Sequence, residues 1–530
     1  MRSQLRVPSL SSPRATSRAE LAEKIHRARR SSRAKAVLRL ACGLVIAILA
    51  TPTRAELVVV EQDVPGEGLL TTFKMTVTPA AEPVPALKHR LMLREIELKQ
   101  GNAAPYYYRS LLNIQNFSQK LRKKYGDAYD EWYRQNDVAL EELPFEKAQA
   151  ASDSWRGSAM ENLREATRRR HCNWQWNVEE IRGPEIVAFL LEEIQVSREL
   201  CRGLMLVARV DLANGDYEKV LDTLRMNYRL GHDVGKAPFL VSDLVGIAIC
   251  GMGNNQLIEL IAQKDSPNLY WAIAELPDPM VSIQDSMRAE MSNGLRIFPF
   301  ILDAETAEHS PEEWARLMAK ALVESQQLVS SGVGQNVVPS SMTARFAVTA
   351  MSTVAYPAAK QRLIESGMTK AQVEAMPVGK VVSIDALREY RRIADSIEKW
   401  SYVPARVLRN HNFEINKELN VNSAEGLSRG FGHTLASLLL PAMQAARSAE
   451  QRLIWQTHGI QTVEAIRMHA AETGKLPNSL DEITIVPLPR NPRTDKPYEY
   501  ELEGETAIVK LPFEDDFPGV AYRFEVTLEE

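Results

Sequence analysis

Few residues in this chain stand in spacings that do chemistry. Its 530 residues include nine histidines and four cysteines. None forms an HExxH, CxxC or Walker A pattern, each of which sets a metal, redox or phosphate site at a fixed offset. His458 and His469 share one helical stretch without a surrounding ligand set, so they read as core or surface histidines. Glu514, Asp515 and Asp516 offer hard oxygens to a calcium ion, but far fewer than the roughly six to eight it takes. Cys250-Gly-Met-Gly253 has no strand before it, which argues against a phosphate cradle. Tyr106, Tyr107 and Tyr108, like Trp132 with Tyr133 and Trp174 with Trp176, invite a stacking site. Adjacent helical residues point about 100° apart, so these aromatics read as packing. Arg168-Arg-Arg170 reads as a solvated helix face. The sequence therefore assigns no catalytic, cofactor-binding or metal-ligating residue, and no cofactor is expected.

Cysteine usage leaves one candidate disulfide. In an oxidising compartment Cys172 and Cys201 are the possible pair, although two points on a sequence set no distance. Cys250 sits in an apolar run, Ile247–Cys250, as a buried inert thiol does.

Charge and hydropathy speak to compartment. The whole chain carries −4, but residues 1–55 hold twelve Lys or Arg against Glu20 and Glu23, which leaves the rest with 52 basic and 66 acidic residues, a net of −14. An acidic body disfavours nucleic acid and anionic membrane surfaces. Within the basic leader, Leu40–Ala50 is apolar and uncharged behind Arg33, Lys35 and Arg39, and Thr53-Arg-Ala55 is a small-x-small cleavage pattern. Residues 1–55 read as an export signal, which places the protein in the periplasm or cell envelope. Membrane attachment is expected only where that segment is retained, since a spanning helix needs about 20 apolar residues. Cys42 precedes the apolar run, so lipidation is not expected.

The elements that position everything else are helices. Residues 56–100 carry short β-branched runs, Glu56–Glu61 and Leu70–Val77, with Leu87–Leu93 as a third strand or a short helix. Residues 101–335 read as a helical array and 336–432 as its continuation, divided by a Gly/Ser/Pro break at 332–341. In the array, Leu190, Ile194, Ser197, Cys201, Leu204, Ala208 and Leu212 recur at spacings of three and four, an apolar stripe. Asn214-Gly215 stops that helix, and a second begins at once behind Asp216. Pro238 opens a third that is apolar nearly all round, so neighbours must enclose it. The continuation includes a helix over Ala344–Ile364 interrupted at Tyr356-Pro357. Residues 433–530 predict a long helix with Leu453, Ile460, Val463, Ile466 and Ala470 on one face, then strands Tyr498–Leu502, Thr506–Lys510 and Tyr522–Leu528, an α+β module. The fold class is mainly α: a repeat-like array of helical hairpins, a short N-terminal β segment and a small C-terminal α+β module.

Three resemblances attach to these residues. Ala208-Arg-x-x-Leu212-Ala-x-Gly215-Asp-Tyr217-x-x-Val220-Leu221 resembles the turn of a tetratricopeptide-type hairpin over about 40 residues, and implies a helix-pair scaffold that presents a binding surface. The spine helix, Gly474-Lys-Leu-Pro477 turn, Asn491-Pro492 and Lys496-Pro-Tyr498 are similar to the soluble domain of type II secretion pseudopilins. A pseudopilin starts with its membrane-inserting apolar segment, whereas here only Leu435–Leu440 precedes the helix, so the resemblance implies a docking module and not a fibre subunit. The chain as a whole looks like an uncharacterised family of exported helical bacterial proteins, and that similarity implies no activity. The expected function is an exported non-enzymatic scaffold or protein-binding protein with protein partners and a helix-walled groove free of converging acids or histidines. The rivals are a hydrolase with a site assembled from distant residues, or an accessory subunit of a secretion or pilus-like machine. The oligomeric state is open.

Overall fold

Strands at both ends of the chain carry inward side chains at alternate positions, such as Phe73, Met75 and Val77. They are β1 (Leu57–Val64), β2 (Gly68–Val77), β5 (Glu499–Glu503), β6 (Thr506–Leu511) and β7 (Gly519–Leu528). The computed structural model describes residues 57–176, 180–183, 185–330, 341–403, 407, 431–513 and 519–529. In it these five strands form one sheet, ordered β1-β2-β7-β6-β5. β2 and β7 run parallel with Phe73 opposite Phe524, and the other neighbours are antiparallel. The sequence reading sets the first two strands in a module of their own. Alternation tells which side chains share a face but not which strand edge lies alongside. Gly68 permits the join: its φ of +129° suits glycine, and a Cβ there would lie 2.4 Å from the Gly519 carbonyl oxygen.

Helices fill the chain between, which makes the protein mainly α. They are α1 (Ala104–Tyr125), α2 (Phe145–Trp155), α3 (Ser158–Thr167), α4 (Glu185–Ala213), α5 (Tyr217–Val234) and α6 (Leu240–Ile261). There follow α7 (Tyr270–Ala274), α8 (Gln284–Asn293), α9 (Pro299–Leu302), α10 (Pro311–Ser330), α11 (Ser341–Glu365), α12 (Lys370–Ala375), α13 (Val378–Ser401) and α14 (Phe431–Thr473). A three-residue break with Gly215 at φ +75° turns α4 back along α5, as the stop signal requires. Glycines bring α5 and α6 into backbone contact, since a Cβ on Gly231 would lie 2.9 Å from the Gly246 carbonyl oxygen. α6 is long and apolar enough to cross a membrane, yet most of it is buried by its neighbours.

α14 ties the sheet to the helices. Its Leu453, Ile460, Val463, Ile466 and Ala470 are buried as the stripe predicts, and so are Ala446, Trp455, Ala465 and Met468 on other faces. The sheet covers one side of this helix, and α6, α7 and α13 pack against it as well. Arg467, fully buried, is the fastener: Nε donates to Thr78 O at 2.9 Å, Nη1 to Glu464 Oε1 at 2.8 Å, and Nη2 to Ser266 O at 2.8 Å.

Three local expectations are corrected. Arg169–His171 is not a helix face but strand β4, paired with β3 (Lys99–Asn102), because α3 ends at Thr167 and the backbone finds a ladder partner. Leu87–Leu93 forms neither strand nor helix; the amides of Leu91 and Met92 both donate to Glu275 Oε1 at 3.1 Å. α11 runs unbroken through Pro357. Cys172 and Cys201 are free thiols in separate surroundings: Cys201 Sγ lies 3.0 Å from Asn227 Oδ1, and Cys172 stands beside Asp233 and Arg229. The export signal, most of the break at 332–341 and Glu514–Asp516 lie outside the described residues.

Candidate functional site

Arg209 of α4 is fully buried and organises a groove without lining it. Glu259 of α6 pairs with it at 2.9 Å, and its two Nη atoms donate to the carbonyls of Trp132 at 2.7 Å, Arg134 at 3.3 Å and Val138 at 2.7 Å. A buried guanidinium is stable only when paired and hydrogen-bonded, and here that requirement pins the 132–138 segment across α4 and α6.

The groove beneath that segment has a volume of about 340 Å³. Arg198, Arg202 and Met205 come from α4, at spacings of four and three, one residue round from the buried stripe Ser197–Cys201–Leu204. α6 supplies Ala248, Ile249, Met252, Asn255 and Gln256, and the pinned segment Tyr133, Arg134, Gln135 and Asn136. Among the described residues the lining contains three arginines and no acid or histidine. Arg134 is engaged by the Tyr133 hydroxyl at 2.9 Å and Asp137 at 3.1 Å, and Arg202 by Glu199 at 3.2 Å. Arg198 differs. Its buried Nε has no hydrogen-bond partner, and among the described residues it forms no ion pair; Gln135 Nε2 is buried and unpartnered as well.

The aromatics singled out in the sequence pack. Tyr107 stacks on Trp174 at 5.3 Å and donates its hydroxyl to Asp233 at 2.9 Å. Tyr108 meets Trp174 edge-on and accepts from Trp176 Nε1 at 2.7 Å, while Tyr106 accepts from Arg169 at 2.7 Å. Burial and Asp233 push the Tyr107 hydroxyl far up. Burial works against the charge of Asp233, but His232 and Arg229 hold its pKa below the usual value.

The histidine pair does not converge. His458 bridges the Tyr498 hydroxyl at 2.8 Å and Asp278 at 3.3 Å, at a cleft of about 140 Å³ lined mostly by apolar side chains. His469 is nearly buried, with Nε2 unpartnered.

A carboxylate cluster escaped the sequence reading. Asp243 of α6 is fully buried, and among the described residues neither oxygen lies in a well-formed hydrogen bond: its neighbour Ser286 gives its hydroxyl to Ala237 O at 3.2 Å. Burial, with Glu450, Asp285 and Glu290 nearby, pushes its pKa up to about 8. Burial lifts Glu450 of α14 to about 7, even as it accepts the Ile283 amide at 3.0 Å, and raises Glu290. These acids line neither the groove nor the cleft. Among the described residues no group of His, Cys, Asp and Glu is placed to hold a metal. One acid on each of three helices has no spacing signature, so only packing reveals it.

Fold and groove together define a mainly helical protein whose terminal strands share a sheet. The chain matches no protein family, no curated protein and no solved structure.

Proposed function

We propose that this is an exported, non-enzymatic scaffold of the cell envelope, and that its groove holds an acidic, partly apolar segment of a partner protein. The observation that carries the reading is Arg198: among the described residues its Nε has no hydrogen-bond partner, its guanidinium no ion pair, and the groove around it no acid in its lining. A desolvated arginine gains most from a carboxylate it can grip bidentately. Exposed Ala248 and half-buried Met252 beside it supply adaptable apolar contact. The tetratricopeptide-like turn and the pseudopilin-like module are consistent with a protein that works through surfaces.

The test is a photo-cross-linking amino acid at Asn136, on the groove rim, against one at Glu161, on α3. A discrete envelope adduct from position 136, absent from 161 and lost on Arg198→Glu, supports the reading. Adducts indifferent to Arg198→Glu would sink it.

A second reading, a hydrolase, is favoured by Asp243 and Glu450, whose raised pKa values suit proton transfer. Turnover of ester, glycoside or peptide substrates that is lost in Asp243→Asn supports it; a wild-type chain inert across that panel removes it.

A further inference from the structure

On another side of α5, four arginines from two helices face one small cavity. Asp222, Arg225, Met226 and Arg229 stand at successive spacings of three, one and three on α5; Arg164, Thr167 and Arg168 close the cavity from the end of α3. Met92, Leu93 and Leu98 form its apolar wall, and its volume is about 30 Å³. A water needs roughly 10–15 Å³ on this measure, so the space suits a pair of waters or one compact anion.

The charges in this wall do not cancel. Arg229 is neutralised by Asp233 at 2.9 Å. Arg164 and Arg225 share a single carboxylate, Asp222, at 3.3 and 3.1 Å. Arg168 makes no side-chain hydrogen bond or ion pair among the described residues, and its neighbour Glu165 is held by Lys99 at 2.8 Å and Arg169 at 3.1 Å. About two positive charges therefore remain uncompensated around the cavity. Arg225 Nε is in addition buried without a partner, a cost that an acceptor in the cavity would remove.

We propose that this cavity is a binding site for a tetrahedral oxyanion, a phosphate group, gripped by Arg168 and Arg225 with Arg164 at its edge. A phosphate dianion matches the surplus charge, and the Arg168 fork matches two of its oxygens; Arg225, whose Nη atoms already donate to Asp222 and to the Arg90 carbonyl, adds charge and its Nε. The site is separate from the peptide groove and does not depend on it.

Inorganic phosphate titrated into the full chain by calorimetry tests this. Saturable binding is expected, weakened at least about tenfold by Arg168→Gln, less by Arg168→Lys, which keeps the charge but loses the fork, and not at all by Arg316→Gln on exposed α10. Displacement by glycerol phosphate would show that phosphomonoesters enter, while its failure to displace would restrict the site to the free ion. No saturable binding up to about 50 mM, equal losses in Arg168→Gln and Arg316→Gln, or acetate binding as tightly as phosphate would overturn the proposal.

Discussion

Phe73 of β2 and Phe524 of β7 stack with ring centroids 5.1 Å apart, although they belong to opposite ends of the chain. Beneath Phe524 lies Gly459 of α14, where a Cβ would come 2.2 Å from the phenylalanine ring. The first and last described strands and the spine helix are thus one packing unit.

Shortening or crowding this contact has a measurable cost. Phe524→Ala is expected to destabilise the protein by about 3–5 kcal/mol through the cavity it leaves. Gly459→Ala is expected to cost about 1–3 kcal/mol through overpacking. Guanidinium unfolding checks both; a Gly459→Ala midpoint equal to wild type would mean that α14 is not seated on this ring.

Arg467 offers a second test, because its partners Thr78 and Ser266 lie on two other segments. Arg467→Met leaves Glu464 buried without its cation and is expected to cost about 3–5 kcal/mol. Arg467→Met combined with Glu464→Gln should lose less. A double variant less stable than the single would refute the account.

The acid cluster sets a pH dependence whose sign is fixed. Unfolded, Asp243 releases its proton near the ordinary value of 3.8; folded, it does so near 8. Between these values the native state holds the extra proton, so this residue's contribution to stability is present at low pH and is lost as pH rises toward 8. Glu450 acts in the same direction up to about 7. Asp243→Asn should flatten the fall and stabilise the protein at pH 8 by on the order of 1–3 kcal/mol. Thermal unfolding from pH 5 to pH 8 reads this directly, and parallel pH profiles for variant and wild type would contradict it.

The thiols give the simplest experiment. Burial pushes the Cys250 thiol up to about 12 and those of Cys172 and Cys201 still further. All three should react slowly with maleimide in the native protein and fully, without reductant, once it is unfolded. A mass that shows Cys172 and Cys201 protected until reduction would establish the disulfide that this structure lacks.

Local rules carried the reading where contacts are close in sequence. The α4–α5 hairpin and the buried stripe of α14 both follow from spacing and turn chemistry. The sites followed less well. Arg198, Arg202 and Met205 recur at helical spacing beside the apolar stripe, so the α4 wall of the groove was in reach. The other wall, Tyr133–Asn136, is set by Arg209 and its carbonyl partners, which no spacing reports.

By itself the sequence determined helices, turns and the charge split between residues 1–55 and the rest, because each is read from the chain itself or from neighbours a few residues away. Tertiary structure alone decided that β2 runs beside β7, that Arg198 and Arg168 find no ion pair among the described residues, and that Asp243, Glu290 and Glu450 come together. Those outcomes depend on which surfaces exclude water together, and that is a property of the packed whole.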